Sequence, residues 1–431
     1  MFFKLLKDAL KVKNVRNKIL FTIFIIFVFR VGTHVRVPGI NAESLKQLSD
    51  LPFLNMLNLV SGNAMNSFSI FSMGVSPYIT ASIIVQLLQM DIYPKFVEWG
   101  KQGEVGRRKL NQATRYITLV LAFVQSIGIT ASFNTLSSIS LVKTPNVSTY
   151  LLIGTILTAG SIIVTWLGEQ ITDKGFGNGV SMIIFSGIIA SIPKMFSTIY
   201  EDFFVNVRSG ELTRSYIIVV LLIVVGLAIV FFTTFVQQAE YQIPIQYTKL
   251  VQGAPTSSYL PLKVNPAGVI PVIFASSITT IPSTFLPFFS KVTWLSHLQG
   301  LLSYNTPSGM ITYAILIILF SFFYTFVQVN PEKTAENLQK NGSYIPSVRP
   351  GRETEKYMSS LLKRLATIGA VFLAFISLAP IAAQQFMHLT SSIALGGTSL
   401  LILISTGIEG MKQLEGYLLK RQYVGFMNLE D

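Results

Sequence analysis

Few residues of this chain have the side-chain types that catalysis or metal binding needs. None of its 431 residues is a cysteine, which excludes thiolate nucleophiles, disulfides and zinc–thiolate sites. The three histidines, His34, His297 and His388, lie far apart in predicted loops, so we expect no histidine metal cluster. No Walker loop, HExxH or GxSxG motif occurs. We therefore predict no catalytic residue, no metal site and no cofactor.

One short motif superficially resembles a phosphate-binding loop. The GFGNG sequence at 175–179 lacks the Lys-Ser/Thr continuation of such loops and lies between two apolar segments. These features favour a tight turn in which Asn178 stands near the start of the second helix.

The composition predicts an integral membrane protein. Hydrophobic residues make up 51% of the chain, charged residues make up 12%, and the mean hydropathy is +0.55. Soluble domains carry roughly twice that share of charge. The net charge of +13 fits nucleic-acid binding, contact with anionic lipid or a topological bias, and only the placement of the charges distinguishes these.

Ten apolar runs predict an all-α protein with ten transmembrane helices. Continuous runs argue against a β-barrel, whose strands alternate over about ten residues. The fifth run is short, and the seventh contains Pro271 and Pro282. The runs lie near 19–35, 70–90, 116–133, 150–167, 180–192, 216–236, 267–289, 310–329, 365–383 and 391–408.

The basic residues predict the orientation of these helices. With ten spans, both termini and every second loop share one side of the membrane, and most of the 33 Lys and Arg residues fall there. This bias predicts that both termini are cytoplasmic. The basic N-terminal segment resembles a signal peptide, but Arg30 interrupts its apolar run and further spans follow, so we predict an uncleaved first helix.

The stretch 53–90 changes character in its middle. From about residue 70 it is apolar and long enough to span a bilayer, whereas its first half is short and is broken by Ser61, Gly62 and Asn63. Backbone of that kind persists at membrane depth only where protein buries it or a water-filled cavity faces it. We predict a half-inserted segment beside a full helix, and hence a pore with something in it.

Ionisable residues are nearly absent from the predicted spans. Arg30 is near the end of its span, and we expect its side chain to reach the membrane interface. Ion-coupled transporters usually need intramembrane carboxylates, which argues against that class. Small residues at 80–82 and 275–277 mostly indicate close helix packing, and a weak, separable interface is the alternative.

Two predicted cytoplasmic loops, 237–265 and 330–364, are longer than the topology needs. Their Gly and Pro residues indicate defined turns and not floppy linkers. Loops of this length are uncommon unless they have a function, so docking of a partner is the functional hypothesis, with solvated spacers as the alternative. Five spans followed by five also fit a duplication. An odd number of helices per half inserts the second copy upside down.

Six long segments, taken in order, resemble the SecY family of bacterial protein-conducting channels over essentially the whole chain. The resemblance implies two inverted five-helix halves, at 1–192 and 193–431, around an hourglass pore in the bacterial plasma membrane. Unfolded secretory polypeptides cross through such a pore, and membrane-protein helices leave it sideways. The segments are SIFSMGVSPYITASIIVQLL (69–88), GEVGRRKLNQATRY (103–116), WLGEQITDKGFGNGVSMIIF (166–185), LPLKVNPAGVIPVIFASSI (260–278), NPEKTAENLQKNGSYIPSVRPG (330–351) and GGTSLLI (396–402).

The resemblance also implies a constriction and a plug. Branched aliphatic side chains exclude water and ions by dewetting without binding any sequence tightly, and ordinary core packing is the alternative for each of them. The pore ring comprises Ile79, Ile83, Val180, Ile184, Ile273 and Ile402. The plug, a short helix at 53–67 that fills the external funnel, includes Asn55, Leu57, Asn58, Ser61, Gly62 and Asn63.

A lateral gate is implied between spans two and three on one side and spans seven and eight on the other. For Gln86 and Gln125, a buried polar pair that holds the bundle together is the alternative. The predicted gate residues are Thr80, Ser82, Gln86, Gln125, Ser276 and Ser277.

The implied partners are the ribosome, including its RNA, or the SecA motor on the cytoplasmic face. The other implied partners are the small subunits SecE and SecG, signal peptides, nascent or secretory polypeptides, YidC and membrane lipids. The docking residues are Lys249, Arg349, Arg352, Arg107 and Arg108, which suit phosphate contacts. Because loop 237–265 is poor in Arg, its own share in docking stays open. A small-solute transporter and an insertase without a pore are the competing hypotheses.

Overall fold

The protein is mostly helical in the computed structural model, which describes residues 7, 9–41, 61–62, 64–90, 92–136, 141–142, 145–205, 212–247, 257–285, 306–387 and 397–427. The helices are α1 (Lys13–Gly32), α2 (Ser76–Leu88), α3 (Pro94–Lys101), α4 (Gly103–Leu136), α5 (Val147–Lys174), α6 (Gly179–Tyr200), α7 (Leu212–Gln238), α8 (Ile270–Phe285), α9 (Pro307–Gln328), α10 (Pro331–Lys340), α11 (Arg352–Met387) and α12 (Gly397–Met427).

Each of the ten predicted apolar runs overlaps one of these helices. A helix satisfies its own backbone hydrogen bonds, which is what a segment in lipid requires. Within the described residues, six segments are long and apolar enough to cross a membrane, and they contain α4, α5, α6, α7, α9 and α11. Helix α2 and the first part of α8 are apolar but shorter. Helix α6 runs past residue 192 and continues as a π-helical turn, Glu201–Val205, so the predicted boundary between halves lies inside a helix.

A small sheet corrects the all-α prediction. Strands β1 (Glu240–Tyr247) and β2 (Ser257–Lys263) form an antiparallel hairpin, and β3 (Ser343–Tyr344) pairs with the other edge of β1. Loops 237–265 and 330–364 therefore contain strands and a helix in addition to turns. Side chains alternate across a strand, and the inward Ile243 packs with Met358 and Leu362 of α11.

The largest buried cluster joins α1, α2, α5 and α6 with α8, α9, α11 and α12. It therefore contains residues of both predicted halves. A second cluster packs α4 and α5 against the segment that precedes α2. The aliphatic residues of interest lie in the first cluster, where the two halves meet.

Two regions of contact between the predicted halves stand out among the described residues. The first region, here called the seam, is the contact of α8 with α2 and α4. The second region, here called the junction, is the contact of α12 with α1, with α6 and with the turn between α5 and α6.

Candidate functional site

Six aliphatic side chains from four helices gather in the largest buried cluster. Ile79 and Ile83 come from α2, and Val180 and Ile184 from α6; each pair is four residues apart and so lies on one face of its helix. Ile273 of α8 and Ile402 of α12 join them. The relative exposures of Ile79, Ile83, Ile184 and Ile402 are 5%, 2%, 1% and 9%, and Val180 and Ile273 are partly buried against the same cluster.

All six residues predicted for the ring therefore belong to one large apolar cluster or pack against it. This cluster contains residues of both predicted halves. Such a region can exclude water and ions, and it offers no hydrogen bond by which it could select a particular polar ligand.

Three polar side chains of the seam form hydrogen bonds within their own helices. On α2, the Nε2 of Gln86 donates to the Oγ of Ser82 at 3.3 Å, and Thr80 donates to the Ser76 carbonyl at 3.2 Å. On α8, Ser276 donates to the Ile273 carbonyl at 2.8 Å. All three bonds stay within one helix.

Among the described side chains of the seam helices, three buried polar atoms have no hydrogen-bond partner. They are the Oε1 of Gln86 on α2, the Oγ of Ser126 on α4 and the Oγ of Ser277 on α8. Gln125 is buried on α4. The hydrogen bond of Gln86 to Ser82 lies within α2. Water that entered a parted seam would hydrate the three orphaned atoms, which lowers the cost of parting it.

The junction is built around the GFGNG motif, which forms the predicted turn. The Oδ1 of Asn178 accepts from the Ser181 amide at 3.3 Å and caps α6. The Phe176 amide donates to the Oγ1 of Thr22 on α1 at 3.0 Å, and the Gly177 amide donates to the Oε1 of Gln413 on α12 at 2.9 Å. Two side chains from distant helices therefore satisfy the backbone of one turn.

Close packing requires glycine in this turn. A Cβ on Gly179 would overlap the carbonyl oxygen of Gly168, and Gly177 has a φ of +83°.

A second hydrogen bond crosses the junction. The ammonium of Lys18 on α1 donates to the Tyr417 hydroxyl on α12 at 3.2 Å. Thus the junction joins the two halves by direct hydrogen bonds, in contrast to the seam.

The predicted plug is described only at its end. Asn55, Leu57, Asn58 and Asn63 lie outside the described residues, whereas Ser61 and Gly62 are described and buried. A 3₁₀ turn follows at Met65–Ser67.

The chain after the plug is tied to the segment after α1. The Val37 amide donates to the Phe68 carbonyl at 3.1 Å, and the Ile70 amide donates to the Val35 carbonyl at 2.9 Å. The hydroxyl of Ser67 donates to the Thr33 carbonyl at 2.9 Å. This network fixes the base of the plug segment.

Arg30 binds two backbone carbonyls within the protein. Its Nη1 donates to the Gly62 carbonyl at 2.7 Å, and its Nη2 donates to the Ser186 carbonyl of α6. Sequence analysis missed this role because both acceptors are backbone atoms far away in the chain. The available signal was an arginine inside an apolar run, which is costly enough in lipid to indicate a function.

The basic docking residues are solvent-exposed where the structure describes them. Arg107 and Arg108 stand in the first turns of α4, and Arg349 and Arg352 stand at the start of α11. Lys249 lies outside the described residues. Arg108 forms an exposed pair with Glu104 at 3.2 Å, which contributes little to stability. The carbonyl of Arg349 accepts from Thr354, so the turn that presents this arginine is held in place.

No group of three or more His, Asp or Glu residues that could hold a metal ion occurs within the part of the chain that the structure describes. His34 lies against the Arg30 carbonyl, with its Nδ1 at 2.9 Å from the oxygen. His297 and His388 fall outside the described residues.

Comparison with known sequences gives a consistent result. A model of the SecY family matches residues 69–411. The protein translocase subunit SecY of Streptococcus sanguinis strain SK36 is 70% identical over 435 residues and is covered completely, as is this chain. The SecY subunits of Lactococcus lactis subsp. lactis and Bacillus subtilis are 67% and 49% identical, and each alignment covers 99% of both chains.

Solved structures show the same fold. The structure titled "The structure of a protein conducting channel" superposes with a TM-score of 0.67 at 16% identity and covers 93% of this chain and 91% of that one. Sec61 in the canine ribosome–channel complex from the endoplasmic reticulum has a TM-score of 0.62 at 15% identity, with coverages of 93% and 91%. At such identities the match concerns the fold alone.

Proposed function

This chain belongs to the SecY family, and we propose that it is the channel subunit of a bacterial protein translocase. In this role it conducts unfolded secretory polypeptides across the plasma membrane and has no catalytic task. The observation that carries the proposal is the aliphatic region to which α2, α6, α8 and α12 each contribute. A ring of branched side chains can close around a moving polypeptide of any sequence, because such side chains make no directional bonds.

The proposal includes ten membrane crossings in two inverted halves, 1–192 and 193–431, around an hourglass pore. The ten helices that overlap the apolar runs support the number of crossings. The distribution of Lys and Arg supports cytoplasmic termini in a bacterial plasma membrane.

We propose that the seam is the lateral gate. The seam lies between α2 and α4 on one side and α8 on the other, which is the position that the gate hypothesis expects. The hydrogen bonds of Thr80, Gln86 and Ser276 given above stay within their own helices. A transmembrane helix of the substrate would leave through this opening, and a signal peptide would bind there. The segment 53–67 is proposed as the plug, supported by the burial of Ser61 and Gly62 beside the ring helix α6.

The proposed partners act from the cytoplasm. Two structural neighbours are titled as ribosome-bound channels, the canine Sec61 complex and the yeast Ssh1 complex, and by likeness we propose ribosome binding here. Arg107, Arg108, Arg349 and Arg352 are the exposed cations that could contact ribosomal RNA phosphates or SecA, with Lys249 as a further candidate. SecE, SecG, YidC and membrane lipids are proposed as partners within the membrane.

Reconstitution tests the function. Vesicles that contain the chain with SecE and SecG receive SecA, ATP and an unfolded secretory polypeptide, and protease is then added outside. We expect protected polypeptide only in vesicles that contain the chain. Full digestion in vesicles whose channel subunit is folded and correctly inserted would refute the proposed function.

A further inference from the structure

We infer that Arg30 is a positioning residue that holds the plug segment closed by clamping Gly62 against α6. The inference rests on the proposed role of 53–67 as a plug. It concerns what keeps that segment in place when no polypeptide is present.

The guanidinium of Arg30 bridges two separate parts of the chain. Its Nη1 donates to the Gly62 carbonyl at 2.7 Å, and its Nη2 donates to the Ser186 carbonyl on α6. Arginine suits this task because its planar fork presents several donors in fixed directions, whereas lysine offers a single point charge. Hydrogen bonds with a charged donor are also about twice as strong as neutral ones.

The surroundings of this bridge leave Gly62 little room. A Cβ on Gly187 of α6 would overlap the Cα of Gly62, and the Phe29 ring would lie 2.9 Å from a Cβ on Gly62 itself. Phe29 in turn stacks on Phe71, with ring centroids 5.9 Å apart. Arg30 therefore secures a backbone-to-backbone contact that only two glycines permit.

Gly62 is also where the segment can bend. Its φ of +69° lies in the left-handed region that glycine adopts readily. From Ala64 onward the chain is fixed by backbone hydrogen bonds, since the Ala64 carbonyl accepts from the Ser69 amide and the Phe68 carbonyl accepts from the Val37 amide, both at 3.1 Å. The part of the proposed plug that leaves the funnel must therefore lie at or before Gly62, the residue that Arg30 holds, while the part from Ala64 to Ser67 stays in place.

The test uses the absence of native cysteine, which gives a clean background for thiol labelling. Ser61→Cys places a thiol at a 1% exposed position beside the clamp, and Ser72→Cys places one at a 2% exposed position in the fixed segment. The channel, with SecE and SecG in vesicles, is treated with a membrane-impermeant maleimide, and the labelling rates of the two thiols are compared with and without Arg30→Gln.

We expect Arg30→Gln to raise the labelling rate at position 61 by roughly ten- to a hundredfold, the range for loss of charged hydrogen bonds, and to leave position 72 protected. Arg30→Lys should give an intermediate rate. Gly187→Ala, which displaces Gly62 without removing a charge, should also expose position 61 selectively. An unchanged rate at position 61, or equal rises at both positions, would overturn the inference.

Failure of the clamp and failure of the proposed function are separable in the same vesicles. Protected secretory polypeptide is measured with the Ser72→Cys chain, whose altered residue lies outside the ring, the gate and the plug. Translocation with no selective labelling rejects the clamp and retains the channel. Absence of translocation rejects the channel, whatever the labelling shows.

Discussion

The seam and the junction join the same two predicted halves, but the hydrogen bonds described at them differ. Those at the junction cross between helices, whereas those of Thr80, Gln86 and Ser276 at the seam stay within one helix. At the junction, the Gly177 amide of the first half is satisfied by Gln413 of the second half, and Lys18 donates to Tyr417. On the seam helices, Gln86 and Ser277 keep buried polar atoms without partners.

This difference in hydrogen bonding indicates which of the two contacts can open. Parting the junction would leave backbone donors unsatisfied in a partly buried place, whereas parting the seam would bring water to atoms that lack partners. We therefore expect the seam to open while the junction stays closed. The following predictions test this contrast, from the largest expected effect on the free energy of unfolding to the smallest.

The largest effect is expected from Gly179→Val in the junction. The new Cβ would overlap the backbone carbonyl of Gly168, and neither helix can yield without shifting its axis. We expect destabilisation at or above the upper end of the roughly 1–3 kcal/mol typical of overpacking. The unfolding midpoint in detergent micelles measures it. Gly226→Ala, on α7 with open space around the site, is the matched control and should not destabilise the protein.

Gln413→Ala removes the acceptor of the Gly177 amide. We expect a loss of about 1 kcal/mol, the net worth of one hydrogen bond, because the Gly177 amide is only partly buried and water can reach it. Gln413→Glu keeps an oxygen at the same place and should retain most of the stability. If both variants unfold at the same midpoint as the unmodified chain, this hydrogen bond does not stabilise the junction, and the contrast with the seam is wrong.

Ser277→Ala in the seam should have the opposite sign. Its hydroxyl is buried without a partner, so its removal should stabilise the closed protein by about 1 kcal/mol and slow the lateral exit of a substrate helix. The neighbour Ser276 donates to the Ile273 carbonyl, so Ser276→Ala should not stabilise. Unfolding midpoints and lipid-accessible cross-links of a substrate helix report the two effects. Equal shifts for the two serines would contradict the assignment of the seam.

Arg349→Ala should have the smallest effect on stability, within about 0.5 kcal/mol, because the side chain is exposed. It should weaken ribosome binding and reduce the salt dependence of that binding by about one phosphate contact. Binding of the channel in micelles to purified ribosomes at several salt concentrations is the measurement. Lys194→Ala, an exposed basic residue predicted on the opposite side of the membrane, should bind as the unmodified chain does.

Local patterns predicted the helices and the turn well. A continuous apolar run can satisfy its backbone in lipid only as a helix, so the ten runs identify ten helices without knowledge of tertiary contacts. Asn178 was predicted near the start of α6 because capping depends on residues a few positions apart.

Contacts between distant residues were beyond such patterns. The hairpin in 237–265 was missed although Ile243 and Ile245 alternate with polar residues, because Pro244 and Pro261 argue against strands. The hydrogen bonds between Arg30 and Gly62 and between Gln413 and Gly177 join residues 32 and 236 positions apart. In each bond one partner is a backbone atom. Every residue type supplies backbone atoms, so no sequence motif indicates these bonds.

Cross-linking to a stalled secretory polypeptide tests the central claim most directly. Single cysteines replace Ile79, Ile273 or Ile402 of the ring in the cysteine-free chain, and Phe375, which is 65% exposed on α11, serves as the lipid-facing control. The account predicts cross-links from the ring positions and none from Phe375. Folded, translocating variants in which no ring position contacts the polypeptide would contradict it.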